Sequence, residues 1–193
     1  MTNLVILCVA LVAFLAYSEA CRCQSQHPQT QFCNSQFVVQ AKVLRRRTIN
    51  RGRNVVYTVT ILRDFKDDRR RYSTTQNIYT RSSSASCGSN FNLEKEYIIS
   101  GSINGQKWNT DLCSWNTRTS SLSQYQRTAL DRGIYKNSCS CKIVECSFGG
   151  SQCPQPTGGS CVIRSPADVN CWYQNNSCMM STYGCAWHSP ACA

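Results

Sequence analysis

CRCQSQHPQTQFCNSQFVVQAK, residues 21–42, opens with two cysteines one residue apart, adds a third at Cys33 and runs into an apolar stretch at Phe37. What precedes it decides how it is read. Met1 to Ala20 has a polar start, a continuous apolar run from Leu4 to Ala16, and small residues at Ser18 and Ala20, the two positions a signal peptidase inspects. This pattern predicts a removable signal peptide over residues 1–20, although its start carries no Lys or Arg. The apolar run is too short for a bilayer span, and no basic stop-transfer cluster follows it. No other stretch is apolar enough to span a membrane. The mature chain is therefore expected to be soluble, to be secreted to the extracellular space or matrix, and to begin at Cys21.

Cleavage there removes Cys8, so fifteen cysteines become fourteen, an even number in an oxidising compartment. Seven disulfides are the natural reading. A zinc site using Cys139-Ser140-Cys141 ranks behind it, because secreted thiols seldom stay reduced and no Cys-x-x-Cys spacing is present. Cleavage also removes one acid, Glu19, and no base, so the formal charge rises from +11 to +12. A secreted protein this basic is drawn to polyanions, which outside the cell are mostly sulfated glycosaminoglycans; the compartment argues against nucleic acid. Arg45, Arg46, Arg47, Arg51 and Arg53 form one cluster, and Arg63, Lys66, Arg69, Arg70 and Arg71 a second, partly neutralised by Asp64, Asp67 and Asp68. The plain alternative is a solvated surface that keeps the chain soluble.

Cysteines are sparse from Cys21 to Cys139 and dense from there to Cys192. The first part can bury a core, whereas the second must rely on cross-links, which sets a boundary near Ser140. The expected organisation is 1–20, 21–139 and 140–193. Short strands are predicted at Phe37–Leu44, Val55–Leu62, Asn77–Arg81 and Tyr97–Gly101, with a tight turn at Asn104-Gly105 leading into Lys107–Leu112. Leu122, Tyr125, Ala129 and Leu130 recur at helical intervals before Gly133. The fold class is mainly β, a small closed barrel with a late helix. Beyond Cys141 only turns and short strands are expected, with Gly149-Gly150 and Gly158-Gly159 bracketing an insertion.

Several of these segments carry a resemblance. Cys21-Arg22-Cys23, His27-Pro28-Gln29-Thr30, Phe32-Cys33-Asn34-Ser35 and Val38-Val39-Gln40-Ala41-Lys42 follow one another as in the tissue inhibitors of metalloproteinases. Ser84-Ala85-Ser86-Cys87-Gly88, Glu96 to Gly101, Cys113, the helix to Gly133, Cys171-Trp172 and Cys185-Ala186-Trp187 fall in that family's order. The resemblance covers the whole mature chain, most closely from Cys21 to Lys42. It implies a five-stranded barrel of the oligonucleotide/oligosaccharide-binding (OB) type, the netrin-like module, followed by a small disulfide-rich C-terminal subdomain. It also implies the pairings Cys21–Cys87, Cys23–Cys113, Cys33–Cys139, Cys141–Cys185, Cys146–Cys161 and Cys171–Cys178. Cys153 and Cys192 have no counterparts and are left to pair with each other.

The resemblance further implies a function. The α-amine and carbonyl of mature Cys21 would chelate the catalytic zinc of a secreted metalloproteinase, with Cys21, Arg22, Cys23, Ser84, Ala85, Ser86 and Cys87 forming the inhibitory edge. No cofactor of the chain's own is implied, only contact with the partner's zinc, and a monomer is expected. Arg22 departs from the family's usual small hydroxyl residue at the mouth of the S1′ pocket. Burying a guanidinium there unpaired would cost several kcal/mol, on the order of a thousandfold in affinity. Pro28 is read as limiting the backbone and His27 as a surface or packing contact in a turn. An enzyme is not expected: there is no His-Glu-x-x-His or Gly-x-Ser-x-Gly motif, and only two histidines, His27 and His188. The competing function is a matrix- or glycosaminoglycan-binding module with little or no inhibition, using Arg45, Arg46, Arg47, Arg51 and Arg53 as a mobile basic finger pointing away from Cys21. Asn175, in Asn175-Asn176-Ser177, is a candidate glycosylation site.

Overall fold

A computed structural model describes residues 21–67, 74–146, 153, 155, 157–164, 169–189 and 192. The predicted signal peptide lies outside the described residues, as do Arg69, Arg70, Arg71 and the Gly149-Gly150 pair. Five strands close a barrel: β1 (Phe37–Ile49), β2 (Asn54–Asp64), β3 (Thr74–Arg81), β4 (Glu96–Asn104) and β5 (Lys107–Asn109). The antiparallel meander β1–β2–β3 continues through a parallel β3–β5 pairing, then β5–β4, and β4 returns to β1. This closed order is that of the OB barrel. A short strand, β6 (Thr117–Arg118), pairs on the outside of β4.

β1 is long because it serves both neighbours. Register shifts at Gln40/Ala41 and Val43/Arg45 bend it, so that Phe37–Lys42 pairs with β4 while Val39–Ile49 pairs with β2. Alternation then sorts the side chains. Phe37, Val39, Ala41 and Val43 point into the barrel with Val55, Tyr57, Val59, Ile78 and Ile99. Val38 and Ile98 face the other way, onto a layer of helices carrying Phe32, Ala129, Leu130 and Tyr135. Burial on both faces explains why the β1 sequence starts as a continuous apolar run rather than an alternating one.

The predicted late helix is α2 (Gln124–Asp131), opened by a capping box between Ser123 and Gln126. Gly133, at φ +67°, breaks it from a short turn, α3 (Ile134–Asn137). Helix α1 (Pro28–Asn34) was not expected. Pro28 occupies its first turn, where the missing N–H costs nothing, and His27 is the N-cap. His27 is thus no surface residue but fully buried.

After Cys139 the chain forms a parallel pair, β7 (Lys142–Glu145) and β8 (Ser160–Ile163), and a hairpin, β9 (Cys178–Ser181) and β10 (Gly184–Trp187). A helix, α4 (Val169–Asn175), also unanticipated, lies between them. Cys21–Cys87, Cys23–Cys113, Cys33–Cys139 and Cys141–Cys185 are bonded as the resemblance implied. The remaining pairings are not. Cys146 bonds Cys153 instead of Cys161, Cys161 bonds Cys178 instead of Cys171, and Cys171 bonds Cys192, leaving no Cys153–Cys192 bridge. The β7–β8 register gives the reason. Cys161 pairs opposite Ile143, whereas Cys146 lies past the end of the ladder, with its N–H on the Ile163 carbonyl at 3.1 Å. Cys161 packs instead with Cys141, Cys178 and Cys185, and Cys171 with Ile163, Trp172 and Cys192.

Residues before and after Cys139 meet through buried polar contacts. The Nδ1 of His27 accepts the Gln29 N–H at 3.1 Å, so Nε2 carries the proton and donates to the Trp172 carbonyl at 3.0 Å. The His27 N–H donates to Glu145 at 2.8 Å, and the other oxygen of Glu145 accepts the Tyr173 hydroxyl. Among the described residues no helix is long and apolar enough to cross a membrane.

Candidate functional site

Cys21, Arg22 and Cys23 lie along one rim of the barrel, and the structure brings Ser84, Ala85, Ser86 and Cys87 to the same place. Two disulfides do this, from Cys21 to Cys87 and from Cys23 to Cys113, and the Cys21 and Cys113 sulfurs are 3.9 Å apart. The Cys21 N–H donates to the Ala85 carbonyl at 3.3 Å. Arg22, Cys23 and Ser84 to Ser86 are exposed; Cys21 and Cys87 are half-buried. The sulfurs of Cys21, Cys23 and Cys113 cluster as metal ligands would, but all three are in disulfides and offer no thiolate.

The Ser84–Ser86 segment is a single 3₁₀ turn that rests on its own bonds. Ser83 caps it, accepting the Ser86 N–H at 3.4 Å, and the Ser86 hydroxyl donates back to the Ser83 carbonyl at 2.9 Å. Cys87 then adopts φ +63°, an uncommon conformation for a residue with a side chain, and Gly88 donates to the Ser83 carbonyl at 2.7 Å. The loop closes so tightly that a Cβ on Gly88 would lie 2.1 Å from the Arg81 carbonyl oxygen. Glycine is required here by contact, not by torsion.

The opposite side of the rim is a turn centred on Asp111. Its carboxylate accepts the Cys113 N–H and the Ser114 hydroxyl, both at 2.9 Å, and Leu112 donates to the Cys87 carbonyl at 2.8 Å. Beneath both loops the Asn116 side-chain nitrogen lies 2.9 Å from the Ser89 and Thr110 hydroxyls and 2.8 Å from the Asp111 carbonyl, its two hydrogens shared among the three oxygens. Thr110 passes its own hydroxyl proton to the Ser100 carbonyl at 2.7 Å. This polar ladder joins the stretch after Cys87 to the stretch before Cys113, and with it the anchors of Cys21 and Cys23. Sequence reading missed Ser83, Asp111, Ser114 and Asn116; the Asp-x-x-Ser spacing of a hydrogen-bonded turn was the available signal.

The arginine cluster divides in two. Arg45, Arg46 and Arg47 are exposed on the outer half of β1, opposite Thr58, Tyr57 and Val56. Arg51 and Arg53 belong to the turn between β1 and β2, which does not point away from Cys21. β2 pairs with β3 from Asn54↔Arg81 onward, so the turn lies beside the exit of β3, and the Ser82 N–H donates to the Arg53 carbonyl at 3.1 Å. A meander of three antiparallel strands dictates this, because the first turn and the third strand's end share one side. Asn175 is exposed at the end of α4, whereas Asn176 and Ser177 are fully buried.

A family model described as Tissue inhibitor of metalloproteinase matches residues 19–193. Metalloproteinase inhibitor 3 of Gallus gallus is 34% identical over 134 residues, covering 68% of this chain and 62% of the relative. Metalloproteinase inhibitor 2 of Homo sapiens is 31% identical over 147 residues, covering 70% and 65%. Metalloproteinase inhibitor 3 of Xenopus laevis is 33% identical over 134 residues, covering 68% and 62%. Each match thus spans less than two thirds of the relative's own length. With the closed five-stranded barrel and the match along nearly all of residues 19–193, the chain belongs to the tissue inhibitor of metalloproteinase family.

Proposed function

We propose that this chain is a secreted inhibitor of zinc metalloproteinases, not itself an enzyme, and that mature Cys21 is the group that stops the protease. The observation that carries this is the immobilisation of Cys21 from both sides by the adjacent disulfides to Cys87 and Cys113. A free α-amine titrates near a pKa of about 7.7–8.0, so at neutral pH a useful fraction carries a lone pair. One amine hydrogen serves the Ala85 carbonyl, and the lone pair and the Cys21 carbonyl oxygen close a five-membered ring on zinc. A catalytic zinc keeps a coordination position for water, and this chelate displaces that water. Because the edge is ordered by folding, little entropy remains to be lost on binding. The test is to add one alanine before Cys21, or to acetylate its amine. Inhibition should be abolished with thermal stability nearly unchanged, and an extended protein that inhibits like the native one removes the mechanism.

A second reading concerns the matrix. Residues 37–63 contain seven bases and no acid, and Arg45 to Arg47 are exposed on β1, which supports attraction to a sulfated glycosaminoglycan. Changing the three to alanine should lower the salt needed for elution from heparin. An unchanged elution position favours a merely solvated surface. Exposure of Asn175 supports a glycan there, which a mass shift on deglycosylation tests.

A further inference from the structure

We infer that the hollow lined by Asn50, Arg51, Arg53, Asn54 and Arg81 is a docking site for a carboxylate-bearing loop on the rim of the target metalloproteinase's cleft. The inference rests on the proposal that residues 21–23 and 84–87 enter that cleft, and it identifies the chemistry of the enzyme that would accept them. The hollow has a volume of about 410 Å³, and no acidic side chain lines it. Arg51, Arg53 and Arg81 are exposed, and among the described residues none of them is ion-paired. Arg81 makes only a long, neutral contact, 3.5 Å from the Asn54 side-chain oxygen. Three planar forks of one sign therefore face one concave space with their donors largely unspent, an arrangement suited to carboxylates.

Position argues for the protease. The hollow adjoins the edge through the backbone: Arg53 accepts from Ser82, and Arg81 is in close contact with Gly88, the residue after the Cys21–Cys87 bridge. The turn has a defined backbone, with Asn50, Arg51 and Gly52 at φ +52°, +53° and +89°, and Gly52 and Arg53 donating to Ile49 and Asn50 at 3.2 Å. A protease that receives the Ser84–Cys87 loop in its cleft would therefore have this hollow beside it. A sulfated chain is better matched by the exposed stretch Arg45–Arg47 of β1 than by a compact hollow.

The experiment measures association and dissociation rates of the mature protein against a panel of metalloproteinase catalytic domains that differ in rim charge, at low and high salt. The variants are Arg51→Glu/Arg53→Glu, Arg81→Glu, and, as a milder pair, Arg51→Gln/Arg53→Gln; thermal unfolding confirms that each is folded. For acidic-rimmed enzymes the charge reversals should slow association on the order of ten- to a hundredfold at low salt, with the difference shrinking at high salt. Neutral-rimmed enzymes should be indifferent. Unchanged association across the panel, in a protein whose inhibition is still abolished by acetylating Cys21, overturns this inference and leaves the chelator reading intact. If the same variants weaken heparin retention while protease association is unaltered, the hollow serves polysaccharide and the inference is likewise overturned. Inhibition insensitive to acetylation overturns both.

Discussion

Gln29 and Cys178 exchange two hydrogen bonds: the Gln29 side-chain oxygen accepts the Cys178 N–H and its nitrogen donates to the Cys178 carbonyl, both at 2.8 Å. The same nitrogen donates to the Ser138 carbonyl at 3.0 Å. One buried amide thus mimics a strand pairing between α1 and β9. Replacing it with Gln29→Leu keeps the volume and strands three backbone groups. At about 1–3 kcal/mol for each unsatisfied group, a loss of roughly 3 kcal/mol or more is expected, measured by denaturant unfolding. A loss below about 1 kcal/mol would mean that water replaces the amide.

His27 makes stability pH-dependent. Burial lowers its pKa from 6.5 to about 4, opposed only in part by the carbonyls of Trp172 and Asn176. Protonation would also set an Nδ1 proton against the Gln29 N–H. Because the folded pKa is depressed, the unfolded chain binds the proton first. This contribution is complete above about pH 6.5 and is lost as the pH falls toward about 4, on the order of 3 kcal/mol in all. Glu145, Tyr173 and Tyr135 pack around the ring, so the measurement is a difference. The stability of wild type minus that of His27→Gln should decline across this window, and a flat difference sinks the assignment.

Gly88→Ala should damage inhibition more than stability. The new methyl would meet backbone at 2.1 Å from Arg81 and 2.8 Å from Ser83, so the loop must open. Overpacking of this kind costs roughly 1–3 kcal/mol. Faster hydrogen exchange confined to Ser84–Cys87, together with weaker inhibition, is the expected pattern. Unchanged inhibition would mean that this loop stands outside the protease interface.

Arg22→Thr should tighten binding to proteases with a deep apolar S1′ pocket, by up to about a thousandfold if the guanidinium is otherwise buried unpaired. Enzymes with an acidic pocket should bind the variant no better, or less well. Equal inhibition constants for both forms across such a panel would show that residue 22 does not enter the pocket.

The barrel was legible because its strands alternate or run apolar at strand length. Phe37–Leu44 and Val55–Leu62 fell within β1 and β2, which extend further at their polar ends, where Thr48, Ile49 and Asn54 are held by pairing rather than burial. α1 was hidden because Pro28 reads as a breaker unless His27 is recognised as its cap, and histidine is an unusual cap. Among the edge residues, adjacency of Cys21 and Cys23 was visible, but the ladder through Asn116 was not, since its partners are scattered polar residues without a period. The C-terminal pairings failed for a related reason. A parallel register between β7 and β8 decides which sulfurs meet, and nothing local in either strand encodes it.

The segment from Cys21 to Cys33 is bonded to Cys87, Cys113 and Cys139, and through Gln29 to Cys178. During synthesis these partners leave the ribosome in that order, so the part of the barrel chain that emerges first is the last to be finished. Contacts this distant in sequence form late, and until they do the leading thiols stay open to exchange with wrong partners. A chain interrupted before Cys113 would carry its N-terminal edge only partly set. The finished edge therefore serves as a record that translation ran through Cys113 and that Cys21 and Cys23 have each found the right partner.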